Sequence, residues 1–226
     1  MAVFSGMHGC VSPPLINGSS MEIARRGVAL ILSGPSGVGK STLKNALVGG
    51  EFAFEFSVSC TTRSPRGGEV DGVDYHFVDH ELFERHLAAE EFLEHANVHG
   101  NFYGTLRSEV EARVMAGRDL LLDIDVQGAQ QIKKLASSEP WGAFMTYVFV
   151  GPPSMAELEK RLRARNTDSD AVIARRLDGA RDEMACWRDY DFLIVNDDMQ
   201  QAIAELQGLV RAERVRPMRL LTENPW

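Results

Sequence analysis

The sequence contains few cysteines and no long hydrophobic run. Its three cysteines, Cys10, Cys60 and Cys186, are odd in number, far apart and without the Cys-x-x-Cys spacing of zinc sites. We therefore expect free thiols in a reducing compartment. The longest apolar run, Val28 to Leu32, has five residues, whereas a membrane-spanning helix needs roughly 18. We accordingly predict no disulfide framework, no cysteine-based zinc site and no membrane-spanning segment.

Positive charge is also scarce. The chain has 24 Lys and Arg residues against 32 Asp and Glu residues, which gives a net charge of -8. This balance argues against a general binder of nucleic acid or anionic membrane. Residues 1–22 contain no Lys or Arg and so lack the basic start of a secretory signal. We expect a cytoplasmic protein with no nucleic-acid or membrane partner, in which any bound anion is held by a local concentration of positive charge.

The remaining composition is that of a globular protein, with 44% hydrophobic and 25% charged residues. A length of 226 residues favours one domain with insertions. From Val28 onward, apolar runs alternate with helix-like stretches, which predicts an α/β fold with a mainly parallel sheet flanked by helices. We predict strands at Val28 to Leu32, Leu120 to Ile124, Tyr147 to Val150 and Phe192 to Val195, and a closing amphipathic helix at Met199 to Val210.

Three segments depart from this alternation of apolar runs and helix-like stretches. The first 26 residues contain Ser12-Pro13-Pro14 and Asn17-Gly18-Ser19-Ser20, a composition that predicts a flexible tail. Residues 51–105 read as short strands and turns with one helix near Asp79 to Glu90, which predicts a small α+β insertion. Residues 160–188 contain eight basic and five acidic residues, so positive charge is concentrated there.

A phosphate-binding loop is predicted between the first strand and the first helix. Residues Gly34 to Ser41 match the pattern G-x-x-x-x-G-K-[ST] at every fixed position. Glycines allow the backbone to fold around an anion, and the helix that begins near Lys40 presents its positive end. Lys40 would reach the β- and γ-phosphates, and the Ser41 hydroxyl could ligate Mg²⁺. The sequence therefore predicts a nucleoside triphosphate site.

Two carboxylates follow a later strand. Asp123 and Asp125 end the run Leu120 to Ile124 and point to the same face. At the carboxyl edge of a parallel sheet they would lie beside the phosphate loop, where they could orient Mg²⁺ or its waters. Residues 125–128 also match the D-x-x-G of GTPases, although the sequence has no N-K-x-D base-reading motif. A GTPase is thus an alternative.

The insertion suggests a second anion site. Arg63 and Arg66 are three residues apart in a turn stiffened by Pro65, an arrangement suited to clamping a terminal phosphate through forked hydrogen bonds. Tyr75 could add a hydroxyl donor. The alternative is that both arginines are solvated surface residues.

Several motifs together resemble guanylate kinase, in that family's order and spacing, from about Val28 to Arg214. The matching runs are Ser57 to Arg66, Gly68 to Tyr75, Phe92 to Glu94, Gly100 to Thr105, Leu122 to Gly128 and Ile194 to Asp198. The resemblance implies a P-loop nucleoside monophosphate kinase fold. It places the core at 27–50, 106–159 and 186–214, a GMP-binding insertion at 51–105, a helical lid at 160–185, and tails at 1–26 and 215–226.

The same resemblance implies transfer of the γ-phosphoryl group of MgATP to GMP or dGMP, and it assigns roles to individual residues. ATP would be bound by Gly34, Pro35, Ser36, Gly37, Val38, Gly39, Lys40, Ser41, Thr42 and Asn196. GMP would be bound by Ser59, Arg63, Arg66, Tyr75, Glu94, Tyr103, Thr105 and Asp123. Catalysis would depend on Lys40, Arg161, Arg165 and Arg176. The Mg²⁺ ligands would be Ser41, Asp123 and Asp125.

Glu94 would read the base. Guanine offers N1–H and its 2-amino group as adjacent donors, and one carboxylate accepts from both. Adenine leaves that carboxylate unpaired, a mismatch that typically costs ~10⁴-fold or more. Ser59 and Thr105 would help at the O6 edge of guanine.

Two alternatives from other classes remain open at this stage. One is a guanylate kinase-like interaction module that binds protein partners without catalysis, and the intact Gly39-Lys40-Ser41 argues against it. The other is a P-loop ATPase or GTPase that acts as a switch, for which hydrolysis would not depend on GMP. We expect a monomer or a homodimer.

Overall fold

The computed structural model describes residues 24–48, 50–98, 100–164 and 169–221. Within these ranges the chain forms strands and helices that alternate. The strands are β1 (Ala29–Ser33), β2 (Glu55–Phe56), β3 (Cys60–Thr61), β4 (His76–Phe77), β5 (Phe92–Val98), β6 (Asn101–Leu106), β7 (Leu120–Asp123), β8 (Met145–Gly151) and β9 (Phe192–Val195). The helices are α1 (Lys40–Val48), α2 (His80–Ala88), α3 (Arg107–Met115), α4 (Val126–Ala136), α5 (Met155–Ala164), α6 (Asp170–Ala185) and α7 (Met199–Arg214).

Five strands form a parallel sheet in the order β2-β7-β1-β8-β9. Every residue of β1 and β8 is buried. Strands of a parallel sheet that are covered on both faces read as continuous apolar runs, which is why the sequence revealed them. The four predicted strands are confirmed, each within two residues at either end.

Helices cover both faces of this sheet. Leu43 of α1 and Leu206 of α7 belong to the core cluster on one face. Val110 of α3 and Ile132 of α4 belong to the cluster on the other face. The predicted α/β fold with a parallel sheet between helices is therefore confirmed. Among the described residues, no helix combines the length and apolar character needed to cross a membrane.

Aspartates begin three of the helices. The side chains of Asp79, Asp125 and Asp198 accept hydrogen bonds from the backbone N–H groups of Leu82, Gly128 and Gln201 respectively, which satisfies donors that the first helical turn leaves free. The helix predicted near residues 79–90 is confirmed as α2. The closing helix, α7, continues four residues beyond the predicted end at Val210.

The insertion forms its own small sheet in the order β4-β3-β6-β5. Strands β5 and β6 pair antiparallel, with Glu94 opposite Thr105. The ring of Phe83 on α2 stacks on Phe92 and Phe102, at centroid distances of 4.4 and 5.3 Å. This separate aromatic cluster fixes the hairpin that carries Glu94. The insertion bounds of 51–105 stay a prediction, and β2, which lies within them, pairs with β7 of the parallel sheet instead.

Helices α5 and α6 form the segment predicted as a lid. Leu158 and Leu162 of α5 pack with Ile173 and Ala180 of α6. The helical character of the segment agrees with the prediction, while its motion as a lid stays a prediction. Arg165, one of the predicted catalytic residues, lies outside the described residues.

The described residues nearest the two ends pack on the core, in contrast to the predicted tails. Arg25 donates two hydrogen bonds of 2.7 Å to Asp119. Arg219 is fully buried and donates to Glu213 at 2.6 Å and to Thr146 at 3.0 Å. The tail boundaries at 26 and 215 were therefore misplaced, because ion pairs formed through tertiary packing leave no local pattern in the sequence.

Candidate active site

The phosphate loop connects β1 to α1, as predicted. Gly34, Gly37 and Gly39 adopt φ angles of 140°, 93° and 104°, which side chains disfavour. A Cβ on Gly34 would lie 2.1 Å from the carbonyl oxygen of Val150, and one on Gly39 would lie 2.4 Å from Nδ2 of Asn196. The loop therefore needs glycine both for its backbone angles and for its close packing against β8 and against Asn196, which follows β9.

Lys40 is the first residue of α1, and its side chain turns back over the loop. Its Nζ donates to the carbonyl oxygen of Gly34 at 2.5 Å. The positive charge of the Lys40 ammonium group and the positive end of the α1 dipole thus reinforce each other at the phosphate loop. The adjoining cavity, with a volume of about 350 Å³, is called the loop cavity below. It is lined by Gly34, Pro35, Ser36, Gly37, Gly39, Lys40, Ser41, Thr42, Asp123, Asp125 and Glu183.

Asp123 and Asp125 both line the loop cavity, so the structure brings them to the predicted edge of the sheet. Asp123 ends β7 and is exposed. Asp125 also caps α4, because its Oδ1 accepts a hydrogen bond from the N–H of Gly128 at 2.8 Å. No group of three or more acidic, histidine or cysteine side chains able to hold a metal ion occurs within the described part of the chain.

Glu183 also lines the loop cavity, and the sequence did not single it out. It lies near the end of α6 and is half-buried. Burial raises the pKa of Glu183, the positive charge of Lys40 opposes that rise, and Asp125 adds to it. Its position depends on how α6 docks against the phosphate loop, and no local motif carries that information.

A second cavity of about 320 Å³ lies on the other side of the phosphate loop and is lined by Gly37, Val38, Gly39, Arg161, Asn196, Asp197 and Met199. Asn196 is buried, and its Nδ2 donates to the carbonyl oxygen of Val38 at 2.7 Å. Arg161 donates to the carbonyl oxygen of Asn196 at 2.9 Å. Asn196 thus joins the phosphate loop to α5 in addition to any contact with a base.

The predicted arginines of α5 and α6 occupy different surroundings. Arg161 lies beside the phosphate loop and also bonds Glu157 at 3.1 Å. Arg176 is exposed on α6 and does not belong to the lining of either cavity. The structure therefore brings only Arg161 of this pair to the loop.

Glu94 is buried on β5, with 8% of its surface exposed. Thr105 donates its hydroxyl to Oε1 of Glu94 at 2.7 Å, and the hydroxyls of Ser59 and Thr105 lie 3.0 Å apart. Burial raises the pKa of Glu94, the Thr105 hydrogen bond opposes that rise, and the charge of Asp125 adds to it. The three predicted base-reading residues are thus brought together in one hydrogen-bonded row.

The predicted phosphate clamp has a carboxylate partner that sequence reasoning gave no role. Arg63 donates to Oε1 of Glu69 at 2.8 Å, and the backbone N–H of Arg66 donates to Oε2 at 2.7 Å. The hydrogen bond from Arg63 holds the pKa of Glu69 below its ordinary value. The rings of Tyr75 and Tyr103 meet edge to face at 5.9 Å, with the Arg63 guanidinium 5.5 Å from the Tyr75 centroid. Glu69 therefore holds the guanidinium of Arg63 and the backbone of the turn at Arg66.

A phosphate loop at the edge of a parallel sheet, next to a small sheet with a buried carboxylate and paired arginines, defines a P-loop kinase. Comparisons with known proteins are more specific. The family model described as guanylate kinase matches residues 26–213. The chain is 48% identical to a guanylate kinase of Paramagnetospirillum magneticum over 86% of this chain and 88% of that protein. It is 47% identical to one of Agrobacterium fabrum, with 89% of each chain covered.

A solved structure agrees with these sequence matches. The crystal structure of guanylate kinase from Anaplasma phagocytophilum matches with a TM-score of 0.67 and 36% identity, covering 88% of this chain and 92% of that one. The chain belongs to the guanylate kinase family.

Proposed function

We propose that the protein transfers the γ-phosphoryl group of ATP to GMP, and also to dGMP, releasing ADP and GDP or dGDP in purine nucleotide metabolism. The observation that carries the acceptor assignment is Glu94, a buried carboxylate held by Thr105 and located beside Asp125 of the loop cavity. A buried acceptor group selects a ligand that offers donors. Membership of the guanylate kinase family supports the same acceptor.

The donor nucleotide occupies the loop cavity in this proposal. Backbone N–H groups of the phosphate loop and the first turn of α1 bind the β- and γ-phosphates. Lys40 leaves the Gly34 carbonyl and contacts the transferring group, whose charge it offsets. Asn196, Met199 and Arg161 border the second cavity, which accommodates the adenosine side.

The oxygen ligands at the loop cavity fit Mg²⁺, which is usually held by one or two carboxylates together with phosphates and waters. Ser41, Asp123 and Asp125 all line that cavity, and these three residues would hold the ion. When bound with ATP, the ion supplies neutralisation of charge on the phosphate oxygens. The capping bond to Gly128 orients Asp125 in this arrangement.

GMP binds on the insertion side. Its phosphate is held by Arg63, Arg66, Tyr75 and Tyr103. Glu69 orients the Arg63 guanidinium and the backbone of the turn at Arg66 before the substrate arrives. Asp123 lies between the two substrates and contacts GMP. The N1–H and 2-amino groups of guanine donate to Glu94, while Ser59 and Thr105 face O6.

The reaction is a direct in-line transfer without a covalent enzyme intermediate. Charge on the transferring group is offset by Lys40, Arg161, Arg165 and Arg176. Helices α5 and α6 and the insertion close over the substrates, which excludes water that would otherwise hydrolyse ATP. Closure brings Arg176 from its exposed position on α6 to the phosphates.

A coupled assay of ADP release tests this proposal with GMP, dGMP, AMP, UMP or no acceptor. We expect turnover with GMP and dGMP and little with the other three conditions. ADP release without any acceptor would instead support a P-loop ATPase, and absence of turnover with every acceptor would support a non-catalytic interaction module.

A further inference from the structure

Gly128 lies where the core and the insertion meet. It is the third residue of α4 and is buried. Its N–H donates to Asp125, and its Cα faces the carboxylate of Glu94. A Cβ at this position would lie 3.0 Å from Oε2 of Glu94 and 2.5 Å from Cγ2 of Ile124. A side chain here would overlap Ile124 and would crowd the Glu94 carboxylate, which would have to shift by a few tenths of an ångström.

The backbone of Gly128 does not itself call for glycine. Its φ is not among the positive values that favour this residue, and glycine within a helix is less favourable than alanine. The unusual requirement at this position comes from the neighbouring side chains. Glu94 thus has Thr105 on one side, whose hydroxyl donates to Oε1, and Gly128 on the other, where an added Cβ would lie 3.0 Å from Oε2.

We propose that Gly128 is a positioning residue for guanine recognition, because its missing side chain lets the Glu94 carboxylate occupy the place where it accepts from N1–H and the 2-amino group. Since Gly128 belongs to the core helix α4, the contact also sets the position of the base relative to the phosphate loop. The inference rests on the proposed role of Glu94. A displaced carboxylate can no longer accept from N1–H and from the 2-amino group at the same time. We expect the hydrogen bond to the 2-amino group to weaken first.

The Gly128→Ala variant tests this inference when kcat and KM are measured with GMP and with IMP, which lacks the 2-amino group. We expect the ratio of kcat/KM for GMP to that for IMP to fall by about 10-fold or more. The loss should arise mainly from KM for GMP. KM for ATP should change less than about 2-fold, because the Gly128 N–H that bonds Asp125 is retained and the new Cβ would lie at an ordinary 3.4 Å from Oδ1 of Asp125.

A loss of stability in Gly128→Ala could obscure the result, so a second pair of variants isolates the Glu94 contact. Ile124→Ala removes the methyl group that the new Cβ would meet at 2.5 Å. In the double variant Gly128→Ala/Ile124→Ala the nearest remaining atom is Oε2 of Glu94 at 3.0 Å, followed by Oδ1 of Asp125 at an ordinary 3.4 Å. We expect the double variant to show a lower GMP to IMP ratio than Ile124→Ala alone. Equal ratios in these two variants would overturn the inference.

Two glycine controls separate positioning from general destabilisation. A Cβ on Gly142 would lie 1.9 Å from the carbonyl oxygen of Ala136, so Gly142→Ala should lower the urea midpoint without changing the GMP to IMP ratio. A Cβ on Gly208 of α7 meets nothing within 4 Å, so Gly208→Ala serves as the silent control. A lower ratio in Gly142→Ala would also overturn the inference.

The Glu94→Gln variant distinguishes the inference from the function on which it rests. If Glu94→Gln leaves the GMP to IMP ratio unchanged, the base-reading role of Glu94 is wrong and the inference fails with it. If Glu94→Gln lowers the ratio and Gly128→Ala does not, only the role of Gly128 is wrong. A lower ratio in both variants supports both.

Discussion

The donor and acceptor sides of this kinase are built in different ways. The phosphate loop is a short continuous segment that binds with backbone groups, and its glycines allow both its angles and its close packing. The proposed acceptor side depends on side chains from separate strands, such as Glu94 of β5 and Thr105 of β6, which pairing of the strands brings together. A local backbone site tolerates changes elsewhere in the fold, whereas a site of converging side chains depends on the packing of every element that supplies one.

The two sides also differ in how their cations are held before substrate binding. Lys40 is bonded to a neutral carbonyl group of Gly34, whereas Arg63 is paired with the charged carboxylate of Glu69. The lysine is thus free to follow a phosphate, while the arginine is held in one orientation. Substitutions on the two sides should accordingly affect different kinetic constants.

The largest effect is expected from Lys40→Ala on the donor side. Loss of the ammonium group should reduce kcat by about 10³-fold or more, because the charge it offsets develops during transfer. Lys44→Ala, one turn further along α1, is the matched control and should retain activity. Near-normal turnover of Lys40→Ala in the coupled ADP assay would contradict the proposed mechanism, provided that its urea midpoint is unchanged.

On the acceptor side, Glu94→Gln should reduce kcat/KM for GMP by about 10²-fold and relax selectivity against AMP, because one acceptor oxygen is replaced by a donor. KM for ATP should change little, which separates the two sides. The exposed Glu91 provides the control variant Glu91→Gln, for which we expect wild-type kinetics. An unchanged preference for GMP over AMP in Glu94→Gln would remove this residue from base recognition.

The pH dependence of kcat/KM for GMP tests the acceptor side further. Burial raises the pKa of Glu94, so its carboxylate takes up a proton at a higher pH than an ordinary glutamate. Protonated Glu94 accepts poorly from guanine, and kcat/KM for GMP should therefore fall as the pH drops through this raised pKa, approaching about 10-fold per pH unit.

The control for that profile is Glu94→Gln, since the phosphate of GMP titrates equally in both proteins. Burial also raises the pKa of Glu183 on the donor side, and this group is present in both proteins as well. Any difference between the two pH profiles is therefore caused by titration of Glu94. Identical acid limbs would show that another group controls the reaction there.

The smallest effect is expected from Glu69→Gln. Because this partly buried carboxylate orients only the Arg63 guanidinium and the backbone of the turn at Arg66, its replacement should raise KM for GMP by roughly 2- to 5-fold and leave kcat nearly unchanged. Glu51→Gln, which alters another exposed ion pair, with Arg211, is the matched control. A lower kcat with unchanged KM would mean that Glu69 acts in the transfer step instead.

The sequence predicted those features that local patterns determine. The phosphate loop, the buried strands and the aspartate at the start of α2 all follow from short motifs or periodicity, and the structure confirms their placement. The joint role of Ser59, Glu94 and Thr105 was predicted from the family resemblance alone, because these residues are brought together only by strand pairing.

Other residues of the site could not be predicted, since their roles depend on packing between distant elements. Glu183 reaches the loop cavity through the docking of α6, and Gly128 matters because β5 brings Glu94 against α4. Glu69 was part of a recognised motif, yet its pairing with Arg63 needs the geometry of the turn. The buried ion pairs of Asp119 and Arg219 carry no periodic signal for the same reason.

The antiparallel bridge between Arg25 and Leu220 places the two ends of the described chain side by side. Circular permutation is therefore open to this fold, provided that the new termini lie outside the turn from Arg63 to Glu69, whose hydrogen bonds the proposed phosphate clamp needs. Shortening the chain after Arg214 is the less suitable redesign, because it would delete Arg219 and leave its carboxylate partner, Glu213, buried without that cation.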